Sequence, residues 1–205
     1  EMEKALIDAG LPYKRSEAIG ELVAQSLVDG KIVGWFQDRM EAGPRALGNR
    51  CILADPRDPT AKDRLNAKVK HREPFRPFAP SCLAERAGEY FASGYPSPVM
   101  LLVFDVLEHQ REAVPAITHH DGTARVQTVS QTENPKYHAM ISAFDRLTGV
   151  PMVTNTSFND NEEPIVTTPQ DAIRCFLKTG MDSLALGDFW VEKPLPASAP
   201  GVQVE

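Results

Sequence analysis

The chain has little of what marks the readily assigned protein classes. Its three cysteines, Cys51, Cys82 and Cys175, lie far apart and form no CxxC pair, which argues against a disulfide framework or a thiolate zinc site and suits a reducing, cytoplasmic setting. No uninterrupted apolar run approaches the roughly 18 residues a membrane span needs, and the opening EMEKALIDAG lacks the basic and apolar regions of a signal peptide. The histidines, His71, His109, His119, His120 and His138, show neither HxxxH nor HExxH spacing, so no metal site built from this chain is expected. None of the cysteines has an identifiable partner histidine, which leaves a thiol nucleophile unsupported. GxGxxG and GxxxxGK[ST] are both missing, which removes the dinucleotide fingerprint and the Walker loop.

What is present suffices for one sizeable core: 205 residues, 42% hydrophobic and 24% charged. The formal charge of -6 argues against a surface that tracks nucleic acid or an anionic membrane. It is unevenly spread. Between Arg39 and Arg76 ten basic residues face five acidic ones, a local +5 that leaves -11 elsewhere. Glu1 is not an initiator residue, so the chain reads as a fragment of something longer.

Helix and strand signals alternate. Residues 16–30 carry Ile19, Leu22, Val23 and Leu27 on one helical face, with Ser16 as N-cap and Gly30 as stop. KIVGWFQ (31–37) reads as a buried strand, followed by a turn, EAGPRALGNR, and a short strand around Ile52 and Leu53. Asp58 and Pro59 open a helix carrying Leu65 and Val69. Pro74, Pro77 and Pro80 stop any continuation and favour an extended, pre-ordered loop over 70–80. VMLLVFDVL (99–107) is the strongest strand signal, and RVQTV (125–129) reads as a half-exposed strand. Asn134 and Pro135 open a helix ending near Gly149. VPMVT (150–154) reads as a strand feeding NTSFND, and Thr168, Pro169 and Asp171 start a helix ending at Gly180. SLALG and DFWVE read as two last strands. This interleaving predicts an α/β (mixed α+β) layered domain over 1–193 and a Pro/Ala-rich tail over 194–205.

Several polar positions invite a chemical reading beside a structural one. Lys62, Arg64 and Lys68 fit a solvated helix face, whereas Lys70, Arg72 and Arg76 lie in a proline-braced loop, whose rigidity lowers the entropy lost in closing on an anion. Arg45, in GPRALG, either ties down its turn or joins Gly43, Gly48 and Asn49 in a cramped polyanion pocket. Asn155, Thr156, Ser157 and Asn159 offer amides and hydroxyls that could read both donor and acceptor faces of an amide-like substrate, or simply form an Asx-turn network. Arg125, after the turn Asp121–Gly122, is either a surface charge or a third anion ligand.

Together EAGPRALGNRCILADPR, KHREPFRPFAP, HHDGTARVQTV and VPMVTNTSFNDNEEPIV, the last followed by TPQDAIRCFLKTGMDSLALGDF, resemble in order the C-terminal domain of O-carbamoyltransferases of the nodulation-factor and antibiotic type, the NodU/CmcH family. The likeness runs over roughly 16–193. It implies a YrdC-like twisted mixed sheet flanked by helices, similar to the fold that makes threonylcarbamoyl-adenylate. It also implies an activity: carbamoyl phosphate and ATP, with Mg²⁺ accompanying the nucleotide, give carbamoyl-adenylate, phosphate and pyrophosphate. A separate N-terminal domain of actin-like-ATPase fold then transfers the carbamoyl group to an acceptor hydroxyl. By the same resemblance Lys70, Arg76 and Arg125 are the catalytic phosphate ligands, with Arg45 at the same pocket and Ser157 and Asn159 contacting carbamoyl or phosphate oxygens. Asn49, Arg72, Asn155 and Thr156 are further substrate ligands. Cys51 stands where the motif often has serine, and Glu162 where glycine is common.

The chemistry suits such residues. Bringing two polyanions together needs convergent cations, and displacement at the α-phosphorus needs charge neutralisation and alignment more than a strong base. Two alternatives share the expected fold: a threonylcarbamoyl-adenylate synthase-like enzyme, and a non-catalytic anion- or RNA-binding module. Extended RNA tracking is disfavoured by the acidic remainder, and no nucleic-acid partner is expected.

Overall fold

The computed structural model describes residues 1–193 apart from 74, 94 and 162. The Pro/Ala-rich tail, Pro74 and Glu162 therefore lie outside the described residues. In chain order the elements are α1 (Met2–Asp8), β1 (Lys14–Arg15), α2 (Ile19–Val28), β2 (Val33–Phe36), β3 (Arg50–Ala54) and α3 (Ala61–Leu65), then β4 (Ala79–Leu83), β5 (Val103–Asp105), β6 (Thr123–Arg125) and β7 (Gln127–Val129). α4 (Pro135–Thr148), β8 (Met152–Ser157), α5 (Pro169–Lys178), β9 (Ser183–Leu186) and β10 (Phe189–Glu192) complete it.

Eight strands form one mixed sheet in the order β1-β10-β9-β2-β3-β8-β4-β7, and β5 pairs with β6 alone. β2 runs parallel to β9 and β4 parallel to β7, while the other neighbours are antiparallel. Each face is covered. Val23 and Leu27 of α2 and Tyr137, Met140, Ile141 and Phe144 of α4 pack on one side with Cys51 and Leu53 of β3. Leu6 of α1, Leu65 of α3 and Ile173 and Phe176 of α5 pack on the other, against Ile52 and Ala54 of the same strand. This alternation along β3 is the period of two that a sheet buried on both faces requires. The expected helix-flanked mixed sheet is what the chain forms.

Local signals account for the helix ends. Asn134 Oδ1 accepts the N–H of Tyr137 at 3.1 Å, Pro135 opens α4, and Gly149 closes it at φ 75°. Thr168 and Asp171 form a reciprocal capping box on α5. Ser16, expected to cap α2, instead accepts the N–H of Ala18 at 3.2 Å, so it shapes the preceding turn and the helix starts at Ile19.

The main departures are in strands. VMLLVFDVL contributes only β5, in the small two-stranded sheet, and Leu101 and Val103 are exposed. An apolar run has no periodicity to say whether a neighbour will cover it. RVQTV divides at Val126 between β6, in the small sheet, and β7, in the large one. β4, whose first two residues overlap the end of the proline-rich stretch read as loop, is an interior strand between β8 and β7. Pro80 is tolerated because it precedes Ser81, the first residue paired with β7, so it costs no bond on that edge.

One glycine fixes how the GPRALG turn meets α4. Gly48 sits at φ 120°, and a Cβ there would meet Tyr137 Cδ1 at 2.5 Å and Asn134 Nδ2 at 2.7 Å. Gly48→Ala combines a left-handed backbone with overpacking against α4, so we expect a loss of about 2–4 kcal/mol in chemical denaturation. An unchanged denaturation midpoint would contradict this packing.

Candidate functional site

A cavity of about 130 Å³ opens where the GPRALG turn, the proline-braced loop, β6 and the end of β8 meet. It is lined by Arg45, Arg72 and Arg125, by Asn155, Thr156 and Ser157, and by an apolar wall including Phe78 and Met100. Among the described residues no carboxylate lines it. This is well below the roughly 300–1,000 Å³ of pockets that enclose drug-sized ligands, so it suits a small phosphate compound and not a whole nucleotide.

Each guanidinium is held differently. Arg72 donates from Nε to Asn66 Oδ1 at 2.8 Å and lies 4.8 Å over the Phe78 ring, which fixes its plane. Burial, and then the charge of Arg76, lower its pKa from the usual guanidinium value. In Arg125 burial acts first and Arg45 second, again downward. Cations thus oppose one another here, a repulsion that a bound anion would relieve. The Nε atoms of Arg45 and Arg125 are buried without a hydrogen-bond partner, so both are donors in waiting.

The floor is built by an amide network on the central strands. Asn155 Nδ2 donates to Ala46 O and Ser81 Oγ, both at 2.9 Å, and Ser81 Oγ donates to Gln127 Oε1 at 2.6 Å. Gln127 Nε2 in turn donates to Leu47 O at 2.7 Å. Two carbonyls of the GPRALG turn are therefore pinned to β4, β7 and β8, which sets Arg45 over the cavity.

Lys70 does not line the cavity. It ends a π-helical turn, Asn66–Lys70, continuing α3, and His71 follows at φ 45°. This inward kink buries the ammonium, which faces Ser157 O (2.6 Å), Ser157 Oγ (3.2 Å), Asn159 O (2.9 Å) and Asn159 Oδ1 (2.7 Å). Lys70 thereby holds the NTSFN segment against the cavity's edge. Ser157 Oγ also donates to Asn159 Oδ1 at 2.7 Å, and Asn159 Nδ2 donates to Glu163 O at 2.6 Å.

The structure therefore brings Arg45, Arg72, Arg125, Asn155, Thr156 and Ser157 together, with Lys70 and Asn159 immediately behind them. Arg76 lies outside the lining, half exposed and 4.0 Å from Glu73. Asn49 is also apart: its Nδ2 donates to Arg39 O at 2.8 Å and its Oδ1 accepts from Asn134 at 3.1 Å. Sequence reasoning did not single out Gln127 or Met100. Gln127 carries no signal in a strand of alternating polarity, and Met100, buried at φ 56°, sits in the run misread as a regular strand. Among the described residues no group of three or more His, Cys, Asp or Glu side chains could hold a metal. No helix among them is long and apolar enough to cross a membrane.

The fold and cavity define an α/β domain with a small, cation-lined site. Residues 24–193 match the family model described as Carbamoyltransferase C-terminus. Nodulation protein NolO of Bradyrhizobium diazoefficiens is 49% identical over 97% of this chain and 36% of its own length. The 3'-hydroxymethylcephem-O-carbamoyltransferase of Amycolatopsis lactamdurans is 40% identical over 82% of this chain and 32% of its own length. The chain belongs to the carbamoyltransferase C-terminal family, and it spans about a third of the length of the curated relatives it matches. Among solved structures, full-length HypF in its phosphate- and nucleotide-bound form aligns with TM-score 0.59 and 20% identity, covering 84% of this chain and 25% of that one. P. abyssi Sua5 complexed with L-threonine gives the same TM-score at 17% identity, covering 84% of this chain and 47% of that one. These likenesses place the fold in the YrdC-like group.

Proposed function

We propose that this domain binds carbamoyl phosphate in the three-arginine cavity and uses ATP, carried with Mg²⁺, to form carbamoyl-adenylate. The observation that supports this most is the convergence of Arg45, Arg72 and Arg125 on a cavity of phosphate-ester size with no lining carboxylate among the described residues. Family membership supports carbamoyl chemistry over other uses of such a pocket.

In this reading carbamoyl phosphate is cleaved by water to carbamate and phosphate. A carbamate oxygen then attacks the α-phosphorus of ATP, a new P–O bond forms, and pyrophosphate leaves with the electron pair of the broken one. The guanidiniums neutralise the phosphate oxygens and keep the two polyanions in contact. Lys70, through its hold on Ser157 and Asn159, keeps the NTSFN segment at the cavity's edge, where Ser157 Oγ, whose proton goes to Asn159 Oδ1 in the unliganded site, would turn that proton to a non-bridging oxygen when substrate binds. The nucleotide is too large for the cavity, so its base and ribose extend past the mouth. Carbamate and carbamoyl-adenylate hydrolyse readily, and the walls made by Phe78, Met100 and the NTSFN segment limit water. A further domain of actin-like-ATPase fold in the same polypeptide would pass the carbamoyl group to an acceptor hydroxyl.

ATP–pyrophosphate exchange with the purified chain tests this reading. Exchange that requires carbamoyl phosphate is the expected result. Exchange driven by threonine and bicarbonate would assign the threonylcarbamoyl-adenylate reaction instead, and RNA binding without exchange by a folded chain would assign a binding module.

A further inference from the structure

One of the acceptors among the residues that line the cavity is buried and unpaired. Asn155 is 2% exposed and lines the cavity, yet its Oδ1 has no hydrogen-bond partner. The amide cannot turn over to lose this acceptor. Its Nδ2 already donates to Ala46 O, a carbonyl that can only accept, and to Ser81 Oγ, whose own proton is committed to Gln127 Oε1. Swapping Oδ1 and Nδ2 would set oxygen against the Ala46 carbonyl. Strand pairing on both sides, with Leu53 of β3 and Ala79 of β4, holds the backbone beneath it. Asn155 Oδ1 is thus a fixed, buried acceptor on a residue that shares the cavity lining with Arg45, Arg72 and Arg125.

A buried orphan acceptor is costly unless the ligand brings a donor. Inorganic phosphate, or an acetyl phosphate, supplies oxygens for the arginines but no N–H for Asn155. A carbamoyl group supplies both, because its NH₂ adjoins the acyl carbon that bears the phosphate. We propose that Asn155 is the specificity-determining residue of the cavity: its Oδ1 accepts a hydrogen bond from the substrate's amide N–H and so selects a carbamoyl over an otherwise isosteric acyl phosphate. This rests on the proposed carbamoyl-phosphate site and names the group that reads its nitrogen. Arg45, Arg72 and Arg125 recognise the charge; Asn155 recognises the amide.

The test uses two stable, equally charged analogues, phosphonoacetamide and 2-oxopropylphosphonate, which differ by NH₂ against CH₃. Their binding to the full chain is measured by calorimetry at pH 8, with inorganic phosphate as a third probe. One hydrogen bond to an otherwise unpaired acceptor predicts a preference of about tenfold for the amide. In Asn155→Ala the ratio of the two affinities should fall to about unity, and because loss of the Ala46 anchor would weaken both analogues and inorganic phosphate alike, only that ratio is read. Equal affinity of the wild-type chain for both analogues would overturn the inference without touching the site, and needs no variant to fold. A preference that survives in Asn155→Ala would overturn it as well. If neither analogue nor phosphate bound, the anion site itself would fall and the assignment of Asn155 with it.

Discussion

Arg125→Ala is expected to lower carbamoyl-phosphate-dependent pyrophosphate exchange by about 10²- to 10³-fold, the loss typical when a preorganised charge-stabilising donor is removed from a water-excluding site. The reason is its placement. Arg125 ends β6, its guanidinium is half buried beside Arg45, and its Nε has no protein partner. Removing that donor therefore relieves a repulsion and strands no buried group. Folding stability should change little or rise slightly, while activity collapses. Arg125→Lys keeps the charge but not the planar fork, and should recover only part of the loss. Wild-type exchange in a folded Arg125→Ala chain would remove this arginine from the site.

Lys70→Met should act on the fold first. The change removes the donor that serves the half-buried carbonyls of Ser157 and Asn159, leaving Ser157 O only the N–H of Asn159 at 3.0 Å. We expect a loss of about 1–3 kcal/mol in chemical denaturation, together with reduced exchange as the NTSFN segment loosens. The pH dependence adds a second signature. Burial, and then the charge of Arg72, push the Lys70 ammonium from 10.5 down to about 7. Its folded pKa thus lies below its unfolded one. Between about 7 and 10.5 the unfolded chain holds the extra proton, so this lysine makes stability rise with pH across that window and adds no slope below it. Wild type minus Lys70→Met should show that rise in melting experiments. A difference flat in pH would show that the lysine keeps its proton throughout.

The two residues also show how much the sequence can carry. Arg45, Arg72 and Arg125 are separated by dozens of positions, and only motif order tied them together; the geometry adds that they share one cavity while Arg76 pairs with Glu73 at its outside. Lys70 reads from the sequence as a loop cation facing an anion, whereas a π-helical turn and a left-handed His71 turn it inward as an anchor, and neither has a local sequence signature. Helix ends were legible wherever a side chain caps the backbone, as at Asn134 and Thr168. β4 was hidden by its own proline, and the register that excuses Pro80 is a long-range property. Residues 99–107 failed for the opposite reason: strong apolar character says that a segment could be covered, and only the topology says that Met100 and Val106 are buried while Val99, Leu101, Leu102 and Val103 stay exposed.

The uneven charge now has a location. The basic excess over 39–76 does not form a continuous stripe: Arg50 is buried on the Phe36 ring, Arg57 is paired with Asp55 and Arg64 with Asp58. What is left facing an enclosed space is Arg45 and Arg72, joined from outside that window by Arg125. Such an arrangement suits one compact anion better than a polymer.

The central claim is that carbamoyl phosphate bound in this cavity leads to chemistry at the α-phosphorus of ATP. Product analysis tests it most directly: the purified chain is given carbamoyl phosphate, Mg²⁺ and ATP labelled at the α-phosphate, and every phosphorus product is resolved. The account predicts inorganic phosphate and pyrophosphate in equal amounts, with the label in a carbamoylated adenylate or the AMP from its hydrolysis. Label appearing in ADP, or phosphate released without pyrophosphate, would contradict it.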